Sequence, residues 1–264
     1  MTIIKHYFKR LLIEPIGLAI NVFFPVVMVF IQITVSVNAM SDGDMLIDGY
    51  SLTATSIAVI IMVMFQFMYG THMVDLVFND FKSSRRWRLL VAPVSLSKYI
   101  FSILVAAASF SVLTGVLIMG VAAIFLNAHL HNVVILLTVI IIMSIFAQVF
   151  GMLMSLLIPK KGVAEAICVL FSFFMLIPSG DFLISISVGG IVGTFFEYMT
   201  PYAMAMRAIL ASGIMANTVS ANFAMDLAEF GRDMSTALIN TGALAATTLV
   251  LAIIVVIVSR RRSF

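Results

Sequence analysis

His72 and Asp75 stand three residues apart, one helical turn, the spacing a paired general acid and base would use. They close an apolar run, where an interfacial cap or an ion pair is the plainer role. Gln66 and Gln148 are the strongly polar residues that fall deep in apolar runs. In a membrane such side chains ordinarily bond a neighbouring helix. A charge at the bilayer centre costs about 2.5–3.5 kcal/mol on insertion scales, which an ion-coupled pump tolerates in order to build a relay. Asp75, Glu165 and Asp181 lie instead near the ends of apolar runs. The sequence therefore offers no coupling-ion site, and energy for any transport has to come from a partner.

Other chemistries find little support. His129 and His131 fall in the short polar stretch Asn127–Asn132, where a two-residue spacing suits solvation better than ligation. No G-x-x-x-x-G-K-[ST] run is present, so the chain is not expected to hydrolyse ATP itself. No G-x-S-x-G elbow and no H-E-x-x-H pair occur. No metal, no cofactor, no catalytic group and no nucleic-acid partner are expected. Cys168, the one cysteine, sits in an apolar run and reads as a small packing residue.

The elements that must position these residues follow from composition. Hydrophobic residues make up 62% of the 264 and charged residues 10%, with a mean hydropathy of +1.18. Soluble domains carry about 25% charged residues. The chain cannot cover its surface with polar groups, so lipid has to be its outer solvent. A helix needs about 20 apolar residues to cross the hydrocarbon core. Six segments meet that length, near 16–38, 53–74, 99–126, 133–158, 163–180 and 237–258. Each should be a helix, because backbone groups in lipid must be satisfied within the segment. The expectation is a single all-α membrane domain over 1–264.

Charge orients it. Thirteen of the 15 Lys and Arg residues fall on one set of alternating connections: Lys5, Lys9, Arg10; Lys82, Arg85, Arg86, Arg88, Lys98; Lys160, Lys161; and Arg260, Arg261, Arg262. Only Arg207 and Arg232 fall on the other. The positive-inside rule places both termini in the cytoplasm of a cell membrane. Residues 1–15 read as an amphipathic interfacial helix, with Ile4, Phe8, Leu11 and Leu12 at helical spacing and a basic side for anionic headgroups. No cleavable leader is expected. Residues 181–236 read as an external region that dips back into the membrane. Its apolar stretch Phe182–Phe196 is short for a span and holds Gly189, Gly190 and Gly193.

The connection 75–98 is the natural docking surface on the cytoplasmic side. It gathers Asp80, Arg85, Arg86, Arg88, Trp87, Leu89 and Leu90 ahead of Pro93. A short helix with charged and apolar faces would serve a protein partner or lipid headgroups equally well. The run "RRWRLLVAPVSLSKYIFS" resembles the segment between the second and third helices of ABC-2 type permeases. Asp80, Arg88, Leu89, Leu90, Pro93, Val94, Ser95 and Tyr99 occupy the places of its acidic, basic-leucine, turn and tyrosine positions. The run "MTPYAMAMRAIL" is similar to the family's Pro-x-x-x-x-x-Arg segment, with Pro201 and Arg207 in place.

The resemblance implies six helices, an interfacial first helix and a re-entrant external hairpin before the last helix. It implies that Asp80, Arg85, Arg86, Arg88, Leu89, Leu90 and Pro93 form an element coupled to a separate ABC ATPase subunit. A second permease subunit and membrane lipid complete the implied partners. The implied activity is export of a small amphipathic molecule such as a drug, antibiotic or peptide. An ion-coupled transporter or channel is the alternative. It would need a deep carboxylate or a discontinuous helix pair near the midplane.

Overall fold

The computed structural model describes residues 2–13, 18–40, 47–82, 96–126, 128, 132–176, 195, 198–213 and 234–261. Every element among them is helical. In chain order they are α1 (Thr2–Ile13), a π-helical turn (Ala19–Phe23) leading into α2 (Phe24–Met40), α3 (Ile47–Met68), α4 (Gly70–Phe81), α5 (Leu96–Phe125), α6 (Val133–Leu157), α7 (Lys161–Leu176), α8 (Pro201–Gly213) and α9 (Met234–Arg261).

Four stretches among the described residues are long and apolar enough to cross a membrane: Thr55–Phe81, Lys98–Phe125, Val133–Leu157 and Met234–Arg260. They match the expected second, third, fourth and last spans. The first and fifth expected spans hold shorter apolar helices. The expected re-entrant stretch 181–200 lies almost wholly outside the described residues, as does most of 181–236.

The stretch Thr55–Phe81 is almost entirely buried, while α9 shows most of its surface. α3 and α4 therefore form the centre, with α6 beside them. α6 also touches α5, α7, α8 and α9. In lipid, apolar side chains gain little by leaving the solvent, so close backbone packing and polar bonds fix which faces meet. The crossing of α4 and α6 is of that kind. A Cβ on Gly151 would lie 2.0 Å from the carbonyl oxygen of Gly70, and one on Gly70 would lie 2.7 Å from that of Ala147. Only glycine permits this approach.

Local chemistry sets the helix ends. The Asn132 side chain accepts from the Ile135 amide at 3.2 Å, an N-cap that starts α6. Thr200 does the same for α8 through the Ala203 amide at 3.2 Å. Pro201 follows as the first residue of α8, where its missing N–H costs nothing.

Two departures from the expected spans matter for function. The second span does not stop at residue 74. It turns at Tyr69 and continues as α4 to Phe81, so the first part of the expected connection 75–98 is a packed helix. Leu76, Val77, Phe78, Asp80 and Phe81 are all buried there. The amphipathic α1 also differs in what covers it. Its apolar side, led by Tyr7 and Leu11, packs into a protein cluster with Met73, Leu76, Phe81, Ile103 and Phe110 of α4 and α5. Leu12 and Ile13 at the end of the helix stay exposed.

Candidate functional site

α4 carries the chain from the centre of the bundle to residue 82, the last described residue before 96 in the expected connection 75–98. Its polar side chains fasten it on two flanks. On the first, Asp80 is buried at 4% exposure. The Tyr7 hydroxyl donates to Asp80 Oδ2 at 2.5 Å, and the Tyr99 hydroxyl donates to the same oxygen at 3.2 Å. The two hydroxyls also contact each other. Arg10 Nη1 lies 3.6 Å from Asp80 Oδ1. One carboxylate thus joins α1, α4 and α5. Burial, and then the hydrogen bond to Asp80, push the Tyr7 hydroxyl well above the usual tyrosine range. It remains a donor at any physiological pH.

On the second flank, Lys161 at the start of α7 pairs with Asp75 and lies 3.7 Å from Glu165 on its own helix. Asn79 Nδ2 donates to Asp75 Oδ1 at 2.8 Å. Burial alone would lower the pKa of Lys161, but its hydrogen bond to Asp75 and the charges of Asp75 and Glu165 outweigh that and raise it. Lys82 donates to the carbonyls of Ser155 at 2.6 Å and Ile158 at 3.0 Å. These are orphan acceptors at the end of α6, and a cation there also meets the negative end of the helix dipole. Its ammonium lies 4.1 Å from the centre of the Phe78 ring.

At its other end α4 meets a buried polar network. The Gln66 amide donates to the Ser111 carbonyl at 2.9 Å, and Ser144 donates to Gln66 Oε1 at 2.7 Å. Gln148 Nε2 donates to Ser111 Oγ at 2.8 Å and to the Tyr69 carbonyl at 3.0 Å. The second bond serves the turn between α3 and α4, where the regular helical pattern is interrupted. Gly115 makes room for the network: a Cβ there would fall 2.2 Å from Gln66 Nε2.

A second backbone irregularity touches the same turn. Pro25 has no N–H to offer the Asn21 carbonyl four residues back. The helix widens there, and the Phe24 amide reaches the Ala19 carbonyl in a π turn. Asn21 O accepts instead from the Tyr69 hydroxyl at 2.7 Å. His72 stacks on the Tyr69 ring at 5.6 Å and meets Phe110 edge-on at 5.2 Å. His72 Nε2 and Gln148 Oε1 are buried with no hydrogen-bond partner among the described residues.

Of the expected coupling residues, the structure describes Asp80 alone. Asp80 faces the interior of the chain and not an outer docking surface. Arg85, Arg86, Arg88, Leu89, Leu90 and Pro93 lie outside the described residues. Asp75 pairs with Lys161, so the spacing of His72 and Asp75 does not make them an ion pair. Gln66 and Gln148 bond neighbouring helices as expected, and Cys168 is buried. Arg207 stacks on Tyr198, its guanidinium 3.5 Å from the ring centre, nearly two turns after Pro201 begins α8. No group of three or more metal-ligating side chains occurs among the described residues. Sequence reasoning missed Tyr7, Arg10 and Tyr99 as partners of Asp80; the acidic residue inside an apolar, helix-period stretch was the available signal. No protein-family model matches the chain, and no curated protein matches it.

Proposed function

We propose that the chain is the permease subunit of an ATP-driven exporter of the ABC-2 type. It crosses the cytoplasmic membrane six times, with both termini inside and a re-entrant hairpin before α9. It pairs with a second permease subunit, and each binds an ABC ATPase through residues 83–95. The cargo is a small amphipathic molecule carried outward. The observation that carries this reading is the double fastening of α4. A segment that receives force from a partner has to pass it to the bundle through a helix that cannot slip. Asp80 binds that helix to α1 and α5, and Asp75 with Lys82 binds it to α6 and α7.

The test is a mild-detergent pull-down of the tagged chain from its native membranes, read by mass spectrometry. An ABC ATPase recovered in about equal amount is the expected outcome. Reversing charge in R86E/R88E should lose that partner while membrane insertion stays intact. A folded chain recovered alone across several detergents overturns the reading.

Ion-coupled transport is the second reading, and one observation favours it. The central stretch is interrupted at Tyr69–Gly70, beside the partnerless polar atoms of His72 and Gln148. Interrupted helices and buried ionisable groups are how such transporters hold ions. Transport that follows a proton or sodium gradient, and persists without ATP, would decide for it.

A further inference from the structure

At the end of the bundle where α1 lies, the described residues include three carboxylates, and all three are engaged within the protein. Asp80 is taken by Tyr7, Tyr99 and Arg10, and Asp75 and Glu165 share Lys161. Lys82 is occupied by the carbonyls that end α6. Lys5, Lys9, Lys98, Lys160 and Arg260 remain. Each is exposed, and none makes an ion pair among the described residues. All five belong to one end of the molecule. Lys98 adjoins Tyr99, Lys160 adjoins Lys161, and Arg260 follows Val258, which packs on the same apolar cluster as Tyr7 and Leu11.

The surroundings of these bases identify the partner. Four of them have an exposed apolar side chain three or four residues away. Ile13 follows Lys9 and is 63% exposed; Phe101 follows Lys98 and is 65% exposed. Leu157 precedes Lys160, and Ile257 precedes Arg260, both exposed. A soluble acidic protein or a nucleic acid would use the charge and leave the apolar neighbours in water. A phospholipid uses both, with its phosphate on the base and its acyl chains on the apolar side chain.

We propose that this end of the bundle is a binding surface for anionic phospholipids, with α1 as its central element. The inward side of α1 is already covered by α4 and α5, so its hold on the membrane is made by the outward Lys5 and Lys9. The inference needs only a membrane setting and is independent of the exporter reading.

The test titrates the detergent-solubilised full chain with phosphatidylglycerol or with phosphatidylcholine. Retained lipid is counted by native mass spectrometry. Phosphatidylglycerol should bind tighter, and high salt should erase the difference. K5Q/K9Q should weaken phosphatidylglycerol binding by about fivefold per charge removed and leave phosphatidylcholine binding unchanged. K98Q/R260Q should do the same through different helices, so misfolding of one variant leaves the other to decide. R10Q, which removes an inward charge, should weaken it less than K5Q. Equal binding of the two lipids by the wild-type chain overturns the proposal. So does unaltered phosphatidylglycerol selectivity in a correctly folded K5Q/K9Q or K98Q/R260Q variant.

Discussion

Replacing Tyr7 by Phe removes one hydroxyl and tests the fastening of α1 to α4 directly. The ring stays, so packing against Tyr99 and the apolar cluster is preserved. The loss is a 2.5 Å hydrogen bond to a carboxylate that is nearly inaccessible to water. Hydrogen bonds to charged groups contribute about 1.5–3 kcal/mol. Arg10 compensates little, because at 3.6 Å it is a partly exposed ion pair. In a chain of this size each kcal/mol moves the melting temperature by about 2–4 °C, so Y7F should melt about 3–12 °C lower. Cys168 provides the assay, since it is the one cysteine in the sequence and is buried, and a thiol-reactive dye reports its exposure on heating. Y99F breaks a longer bond to the same oxygen and should cost less. The double variant should depart from additivity by about 0.5 kcal/mol or more, because the hydroxyls share Asp80 and each other. A Y7F melting curve that superimposes on wild type, with an additive double variant, refutes the reasoning.

Gly151→Ala should be strongly destabilising, by about 1–3 kcal/mol or more, since its methyl has no room against the Gly70 carbonyl; thermal melting and detergent-solubilised yield report it. Gln148→Leu should cost about 1–2 kcal/mol by leaving the Tyr69 carbonyl without its side-chain donor, and Ser144→Ala, which removes one bond to Gln66, should cost less. At alkaline pH the fastening of α1 should loosen. Tyr7 has its pKa raised above the ordinary 10.0, so its stabilisation is complete below pH 10 and is lost progressively as pH rises from there toward the folded value; Y7F should flatten that part of the profile. For topology in a Cys168-free background, Val134→Cys and His6→Cys should react with an impermeant thiol reagent from opposite sides of the membrane. Ser212 is buried and would not report, whereas Val134 and His6 are exposed.

The apolar lengths of α5, α6 and α9 were legible because hydropathy and helix length are one-dimensional properties. The burial of Cys168 and the interhelical bonds of Gln66 and Gln148 were legible for a similar reason: a polar or small residue in a long apolar run has few other fates. The inward role of Asp80 was not legible. It closes an apolar, helix-period stretch just ahead of basic residues, a sign of burial, but nothing in the sequence indicates that Tyr7 lies 73 positions back and 2.5 Å away. The continuation of the second span through Tyr69 was hidden as well. His72 and Asp75 look like the polar close of a helix until Lys161, 86 positions on, neutralises the acid. Pro25 announced a missing donor, but its consequence, a carbonyl that takes the Tyr69 hydroxyl, depends on a helix the sequence does not place beside it.

These hidden contacts share a physical cause. Apolar surface cannot choose one helix arrangement over another when lipid is as good a solvent as a neighbouring helix. The choice falls to sites where a polar group would otherwise be unsatisfied or where two backbones need to touch. In this chain those sites lie along the central helix: Gln66, Tyr69, Gly70, Asp75, Asp80 and Lys82. They divide it into lengths with different partners. α3 packs on α2 and α8 as well as on the shared α5, α6 and α7, while α4 shares its apolar cluster with α1 and is tied to it through Asp80. The division falls at Tyr69–Gly70, where the Gln148 amide and the Asn21 carbonyl hold the turn from two other helices. A load entering at residue 83 would meet Lys82 and Asp80 within its first turn, and so reach α6, α1 and α5 before it reached the interruption. On the proposed exporter reading, that order would make Asp80 a transmitting residue from inside the chain, even though it is buried and offers no surface to a partner.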